Sequence, residues 1–325
     1  MTAASVAYHL RSPALLLDAR SLCGGASGAN GGLLWPNPRS DFEVESAREL
    51  SAFLEARGEG ELSWGGGVAL ERRCPQQAQF HAAEGDFEEN GGVEWDGGEA
   101  WGEETCEQQL RTRAFVGGTL YPAAQLHPAK ATQAVLLASS ARLLAPVRVL
   151  SLCTHGGEQL LVTDRGHLTA RVVVVATNGW APELLPELSP FLRPCTNQLL
   201  MTSPLPGAAS WGVRGMSVDE GSREVYVMVR EDGRVCVGGA RAVEQGAAEG
   251  SSDDSSLSPA AGAYLRGFLS LFPSLGFEEG RVESEWKGVL GFTPDAHPIC
   301  GPLPARPGVF VAAGFNGQGS EQLSP

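Results

Sequence analysis

Hydrophobic positions along the chain fall into short unbroken runs, short alternations and a few stripes of helical period, and these divide it into strands and helices. Residues 5–10 carry a helical pattern, and residues 15–18 read as a buried strand ending on an acid. A glycine-rich loop follows, as far as Pro38. Residues 41–57 set Phe42, Val44, Leu50, Phe53 and Leu54 among charges, as an amphipathic helix does. The segment 58–118 is acidic and rich in glycine and tryptophan; within it 68–70 reads as a strand and 86–108 in part as a loop. Residues 126–144 form one long helical pattern with Pro128 in the first turn. Residues 147–152, 159–163 and 167–175 read as three strands with turns at Gly156-Gly157 and Arg165-Gly166. Further strands are expected at 192–202, 224–229 and 234–238, the last two joined through Arg230-Glu-Asp-Gly-Arg234. A helix at 260–272 and strands at 282–287 and 307–313 complete the pattern, which runs out into Gly314-Phe-Asn-Gly-Gln-Gly319.

The order of elements is a βα start, a β-rich middle and a closing glycine loop. It predicts an α/β (α+β) chain of two interleaved domains. Residues 1–57, 127–190 and 282–325 make a Rossmann-like cofactor-binding domain. Residues 58–126 and 191–281 make an antiparallel β-sheet that carries a substrate pocket. Residues 243–259, low in complexity and rich in glycine, serine and acid, are expected to be a flexible surface loop.

Composition narrows the function classes. The 325 residues are 42% apolar, enough for a large core, and the net charge of −14 argues against nucleic acid and an anionic membrane surface as partners. The seven cysteines contain no C-x-x-C pair, and the six histidines show no metal spacing. His127 and His297 are read as capping or packing residues. Val172-Val-Val-Val-Ala176 is far shorter than the roughly 20 apolar residues of a membrane span. With no signal peptide in the sequence and no peroxisomal address at the C-terminus, the cytoplasm is the expected location.

Candidate chemistry begins at Leu15-Leu-Leu-Asp-Ala-Arg20, followed by Cys23-Gly-Gly-Ala-Ser-Gly-Ala-Asn-Gly-Gly32. In dinucleotide-binding folds an acid closing the second strand bonds a ribose hydroxyl, and glycines admit the backbone close to a phosphate. Residues 3–11 then read as the helix joining a first strand to a second. No first strand and no G-x-G-x-x-G stands before that helix, so the chain begins inside its own cofactor site. With a C-terminus just past the last glycine loop, it reads as a fragment or an incomplete gene model.

Five segments together resemble the FAD-dependent oxidoreductases related to D-amino-acid oxidase, glycine oxidase and monomeric sarcosine oxidase. They are Ser5-Val-Ala-Tyr-His-Leu10; Leu17-Asp-Ala-Arg20 with Gly25-Ala-Ser-Gly-Ala-Asn-Gly-Gly32; Val174-Val-Ala-Thr-Asn-Gly-Trp180; Trp286-Lys-Gly-Val-Leu-Gly-Phe-Thr-Pro-Asp295 with Pro298-Ile-Cys-Gly301; and Gly314–Gly319. The resemblance implies noncovalent FAD, since Cys300 stands in a turn the family does not use for attachment. It places Asp18, Ala19 and Arg20 at the adenosine end, although Asp18 is also an ordinary strand-end acid and Arg20 an ordinary surface charge. Ser27, Asn30, Gly31 and Gly32 would meet the pyrophosphate and the flavin edge. Val149 would present its backbone to adenine, or be a plain core valine. Ala176 and Thr177 would lie by the pyrophosphate. Gly291, Asp295 and Gly314 would lie near the ring, and Gly317, Gln318 and Gly319 would point N–H groups at it.

The implied reaction is oxidation of a C–N bond of a small amine or amino acid, with oxygen or another electron acceptor receiving the electrons. Relatives that act on amino acids hold the carboxylate with an arginine at the position of Leu290, which cannot do so. Arg230 is a candidate replacement, or else a surface arginine flanking its turn. Tyr226 faces either the pocket or solvent. The other readings are an FAD-dependent dehydrogenase and a non-catalytic remnant that binds FAD poorly; an NAD-dependent dehydrogenase fits less well.

Overall fold

The computed structural model describes residues 1–36, 40–72, 98–218, 225–244 and 248–319. In chain order the first elements are α1 (Thr2–Leu10), β1 (Ala14–Leu17), α2 (Ala26–Ala29), β2 (Leu33–Leu34), α3 (Asp41–Glu55), β3 (Ser63–Trp64), β4 (Gly67–Arg72) and β5 (Glu99–Gly102). Next come α4 (Glu103–Leu110), β6 (Phe115–Tyr121), β7 (Ala124–Gln125), α5 (Pro128–Ala138), β8 (Ala141–Leu144), β9 (Val149–His155), β10 (Glu158–Thr163), β11 (Gly166–Ala170) and β12 (Val173–Val175). After α6 (Ala181–Leu184) follow β13 (Arg193–Thr202), β14 (Gly215–Val218), β15 (Val225–Val229), β16 (Val235–Gly239), α7 (Pro259–Leu269), β17 (Val282–Phe292), β18 (Ile299–Pro302) and β19 (Val309–Ala313).

Strand alternation builds the largest unit, an eight-stranded sheet ordered β17-β13-β16-β15-β14-β4-β6-β5. It is antiparallel except for the β14–β4 pair. One face carries Val68, Leu200, Met216, Val227 and Val237, which pack under Leu265, Phe268 and Phe272 from α7 and the turn after it. The opposite face presents Leu199, Met228 and Cys236, with Tyr226 and Trp286 beside them. One sheet thus has a helix-covered face and a face left for a ligand.

The other parallel pairs lie in smaller units. β1 pairs with β8, and β12 with β19, which also takes β18 antiparallel. Among the described residues no strand joins β1 to β12. Leu15 is therefore 47% exposed, and β1 is a half-covered strand rather than the buried one its apolar run predicts. Ser40 Oγ caps α3 by accepting Glu43 N–H at 3.2 Å, the S-x-x-E arrangement that starts a helix. Phe42, expected on the apolar face of that helix, is exposed.

Three expected elements change their bounds or pairing. The pattern over 126–144 is a helix and a strand, because Ser139 ends α5: its hydroxyl bonds Leu136 O at 2.7 Å and accepts Ala141 N–H at 3.2 Å. The run 167–175 breaks at Arg171-Val172, since β11 pairs with β10 and β12 with β19. The strand expected at 282–287 continues to Phe292 and pairs with β13, so this part of the expected cofactor domain belongs to the large sheet. Its glycines hide the pattern for a reason: a Cβ on Gly288 would stand 3.1 Å from Ala29 Cβ, and one on Gly291 2.6 Å from Asn178 Oδ1.

Of the expected flexible loop over 243–259, residues 245–247 lie outside the described residues, and 248–258 form a strap hydrogen-bonded to its surroundings. Thr196 N–H donates to Ala248 O (3.0 Å), Gly250 N–H to Pro194 O (2.8 Å), Trp180 Nε1 to Ser252 O (3.2 Å) and Ser258 N–H to Gln198 Oε1 (2.8 Å).

Candidate functional site

A cavity of about 1960 Å³ opens where β1 and β12 end and continues under the uncovered face of the large sheet. Clefts outside the carboxyl ends of parallel strands are the ligand sites of such sheets. Its lining takes in Leu15, Leu16 and Leu17 of β1 and Val173, Val174 and Val175 of β12, so part of this volume is the gap between those two strands. Asp18, Ala19, Arg20, Ser27, Asn30, Gly31, Gly32, Val149, Ala176, Thr177, Tyr226, Leu290, Gly317, Gln318 and Gly319 all line it.

At the strand end, Asp18 is fixed through its backbone: its N–H donates to Leu144 O at 3.1 Å and its carbonyl accepts Val147 N–H at 2.7 Å. Its Oδ1 accepts Arg20 N–H at 2.9 Å, which aims the carboxylate. Arg20 is committed elsewhere. Its guanidinium bonds Asp254 of the strap at 2.6 and 3.1 Å and Gly24 O at 2.9 Å, and lies 4.9 Å from the Trp180 ring centroid. The hydrogen bond to Asp254 holds its pKa above the ordinary arginine value.

The first glycine turn is packed to tolerances that exclude side chains. A Cβ on Gly28 would lie 2.1 Å from Cys23 O, and one on Gly31 1.9 Å from Met228 Cε. Gly32 has φ +80°, and a Cβ there would lie 2.1 Å from Leu126 O. Asn30 spends its amide on the turn itself: Nδ2 donates to Ala26 O and Ser27 O, and Oδ1 accepts Gly32 N–H. Ser27 Oγ accepts from the Met1 amino group at 2.6 Å. Trp286 Nε1 donates to Ala29 O at 2.7 Å and pins this turn to the sheet.

On the return side, Asn178 Oδ1 accepts Gly314 N–H at 2.9 Å, and Asn316 N–H donates to Gly291 O at 2.9 Å. Gly291 and Gly314 therefore brace the second glycine turn from outside the cavity wall. Gln318 does not offer its backbone N–H to the cavity as expected, because that group closes the turn on Phe315 O at 2.8 Å. Asp295 also lies off the wall, in a surface turn where its Oδ1 accepts His297 N–H at 3.1 Å.

The sheet wall supplies the remaining polar groups. Tyr226 faces inward, where Asn197 Nδ2 donates to its Oη at 2.6 Å. Gly238 stands opposite Tyr226 on β16; a Cβ there would lie 2.4 Å from the ring, so only glycine leaves it room. Asn197, Leu199, Ser217, Met228 and Leu290 line the same space. Arg230 does not: it sits at its hairpin turn, with Nη2 on Glu61 at 3.2 Å and Nε 3.6 Å from Asp232. The arginine on the sheet wall is Arg241, whose Cζ lies 5.2 Å from the Phe292 ring centroid.

Asn197, Arg241 and Asp254 are residues of this region that the sequence did not single out, while Trp180 and Trp286 stood in its quoted segments without these contacts. Strand alternation on β13 could have pointed to Asn197. Asp254 carried no signal in its low-complexity setting. Among the described residues no cluster of His, Cys, Asp or Glu could hold a metal, and no helix is long and apolar enough to cross a membrane.

Comparison with known proteins bears on what fills this cavity. A family model described as FAD dependent oxidoreductase matches residues 1–322. The chain is 28% identical over 201 residues to the "Probable oxidoreductase OrdL" of Rhizobium meliloti (strain 1021). That match takes in 60% of this chain and 43% of the relative, less than half of the relative's length. Among solved structures, glycine oxidase from Geobacillus kaustophilus superposes with a TM-score of 0.76 at 19% identity, covering 98% of this chain and 88% of that one. L-proline dehydrogenase from P. horikoshii gives 0.76 at 17% identity, with coverage of 99% and 87%. At these identities the two structures show a shared fold.

Proposed function

Because the chain belongs to the family of FAD-dependent oxidoreductases, we propose that it binds FAD noncovalently and oxidises a C–N bond of an amine or amino acid. The observation that carries this reading is the continuity of one cavity. It runs from the strand-end carboxylate of Asp18, past two glycine turns, to a sheet wall bearing Tyr226 and Asn197. When bound, FAD supplies the acceptor for the hydride that leaves the carbon next to nitrogen.

The residues fit such a ligand. Asp18 has a carboxylate oxygen beyond the one bonded to Arg20, and it would accept a ribose hydroxyl. The turn over 26–32 and the Ala176-Thr177 corner would flank the pyrophosphate, with the first turn of α1 adding its dipole. Gly317 has φ +91° and nothing within 4 Å of where a Cβ would stand, which leaves space for a ring beside that turn. Noncovalent binding is supported by the cavity's cysteine, Cys23, whose pKa burial raises so that it stays a thiol. Cys300 lies on β18, off the wall, and among the described residues no histidine lines the cavity.

The chain's own part in the reaction is placement. Trp286 holds the first glycine turn against the sheet, and Leu199, Met228 and Leu290 keep the reacting end apolar and dry. Oxygen is the acceptor in this reading, and hydrogen peroxide the product. Anaerobic mixing of the flavin-loaded chain with amines and amino acids tests it: a substrate bleaches the visible flavin absorption, and readmitted air restores it with release of peroxide. Loaded protein that neither substrate class bleaches would overturn the substrate assignment. Bleached protein that air fails to reoxidise would overturn oxygen as the acceptor.

A further inference from the structure

The strap has fixed ends and a lightly held middle. Before residue 251, Gly250 N–H donates to Pro194 O at 2.8 Å; after residue 257, Ser258 and Gln198 exchange two hydrogen bonds, at 2.8 and 3.1 Å. None of the side chains in Ser251-Ser-Asp-Asp-Ser-Ser-Leu257 is buried, and the one large apolar residue, Leu257, is 47% exposed. Asp253 bonds within the segment, accepting from Ser255 and Ser256. Among the described residues, hydrogen bonds from the segment to the rest of the chain fall on two positions. Ser252 O accepts Trp180 Nε1 at 3.2 Å and Ser252 Oγ donates to Glu183 at 3.3 Å; Asp254 holds the Arg20 guanidinium at 2.6 and 3.1 Å.

Arg20, Trp180, Glu183 and Ser252 line the cavity, and Asp254 stands outside its lining. The Arg20 guanidinium also lies against the Trp180 ring and bonds Gly24 O. Strap, indole and the start of the first glycine turn are thus joined through one cation, in a closed ring at the strand-end side of the cavity.

We propose that residues 251–257 are a latched cover on this mouth of the cavity, which opens when Asp254 leaves Arg20 and past which a dinucleotide enters and leaves. The inference rests on the cofactor reading above and adds a gate to it. A polar segment with no apolar anchor gives up only its few hydrogen bonds on lifting, and water replaces them. The fixed ends make the motion a hinge. Arg20 keeps Gly24 O and the indole face, so it stays on the wall when the strap lifts.

A gate and a ligand contact leave different kinetic marks. A cover that must open for passage slows entry and exit by the same factor and leaves Kd alone, whereas a lost contact mainly raises the rate of release. Asp254→Asn should therefore raise both FAD entry, followed by stopped-flow flavin fluorescence, and FAD release on dilution, by about fivefold or more, the factor that one half-buried ion pair is worth. Kd should hold within about twofold, inside the additivity of independent sites. Raising salt from about 0.05 to about 0.5 M should narrow the gap between the native chain and the variant, because screening weakens the pair. In the flavin-free chain, exchange of the Trp180 indole N–H, read by NMR, should quicken by a similar factor in Asp254→Asn, since the same opening frees it from Ser252 O.

Entry and release both unchanged in a folded Asp254→Asn variant would overturn the gate, and so would faster release with unchanged entry. Protein that takes up no FAD defeats the cofactor reading, and the indole exchange then decides the latch by itself: an unchanged rate in Asp254→Asn overturns it. FAD-loaded protein whose rates ignore Asp254 defeats this inference and leaves the cofactor reading standing.

Discussion

Breaking the Arg20–Asp254 pair should loosen the strap from the strand-end side of the cavity, and the structure sets the size of the effect. The pair is bidentate, at 2.6 and 3.1 Å, with side-chain exposures of 35% and 15%. Fully exposed pairs contribute up to about 1 kcal/mol, and well-buried charge-assisted hydrogen bonds about 1.5–3. A half-buried bidentate pair falls between, at about 1–2 kcal/mol of coupling, after the entropy of ordering both side chains. Asp254→Asn alone should cost less than full loss of the pair, because Arg20 keeps Gly24 O and the Trp180 face. A double-mutant cycle with Arg20→Met and Asp254→Asn, read by urea unfolding, isolates the coupling. Amide exchange over residues 248–258 should rise in both single variants. A coupling energy below about 0.3 kcal/mol, within the additivity of independent sites, together with unchanged exchange in the strap, would refute the reasoning.

Gly32→Ala should destabilise the chain by about 2–4 kcal/mol in urea unfolding, combining a left-handed residue with a Cβ driven to 2.1 Å from Leu126 O. Trp286→Phe should keep the packing but lose the bond to Ala29 O, lowering stability by about 1 kcal/mol and weakening FAD retention on gel filtration. Asp18→Ala should weaken FAD binding about tenfold or more in a fluorescence titration, and unchanged affinity would remove Asp18 from the ribose role. Burial lowers the pKa of His127 in the folded chain below its ordinary 6.5. As pH falls through 6.5 the unfolded chain takes the proton first, so stability should drop on the acid side, and His127→Gln should flatten that slope in denaturant midpoints taken above and below this pH.

The strand-end part of the cavity, where FAD is proposed to bind, was legible in the sequence because its parts are local. An apolar run, an acid and a dense glycine turn lie within 18 residues, from Leu15 to Gly32. The glycines there are dictated by contacts such as Gly31 on Met228, so composition reports geometry directly. Sheet pairing was less legible. The strand at 282–292 is cut in two by Gly288, needed for the approach of Ala29, and the helix at 128–138 has its end set by a serine side chain rather than by a change in hydrophobicity. Least legible was the sheet wall of the cavity. Asn197 and Tyr226 meet only through the pairing of β13, β16 and β15, 29 residues apart in sequence, and Asp254 reaches Arg20 across 234. Arg230 and Asp295 carried strong local motifs and lie off the wall, since a turn arginine and a turn aspartate satisfy themselves nearby.

The most direct measurement of the central claim is the visible absorption spectrum of the purified chain incubated with FAD, desalted, and then precipitated with acid. The account predicts a flavin spectrum that survives desalting and passes wholly into the acid supernatant, because Asp18 and the two glycine turns hold FAD without a covalent link. A colourless protein after desalting would contradict the cofactor site, and yellow colour retained in the acid pellet would contradict noncovalent binding.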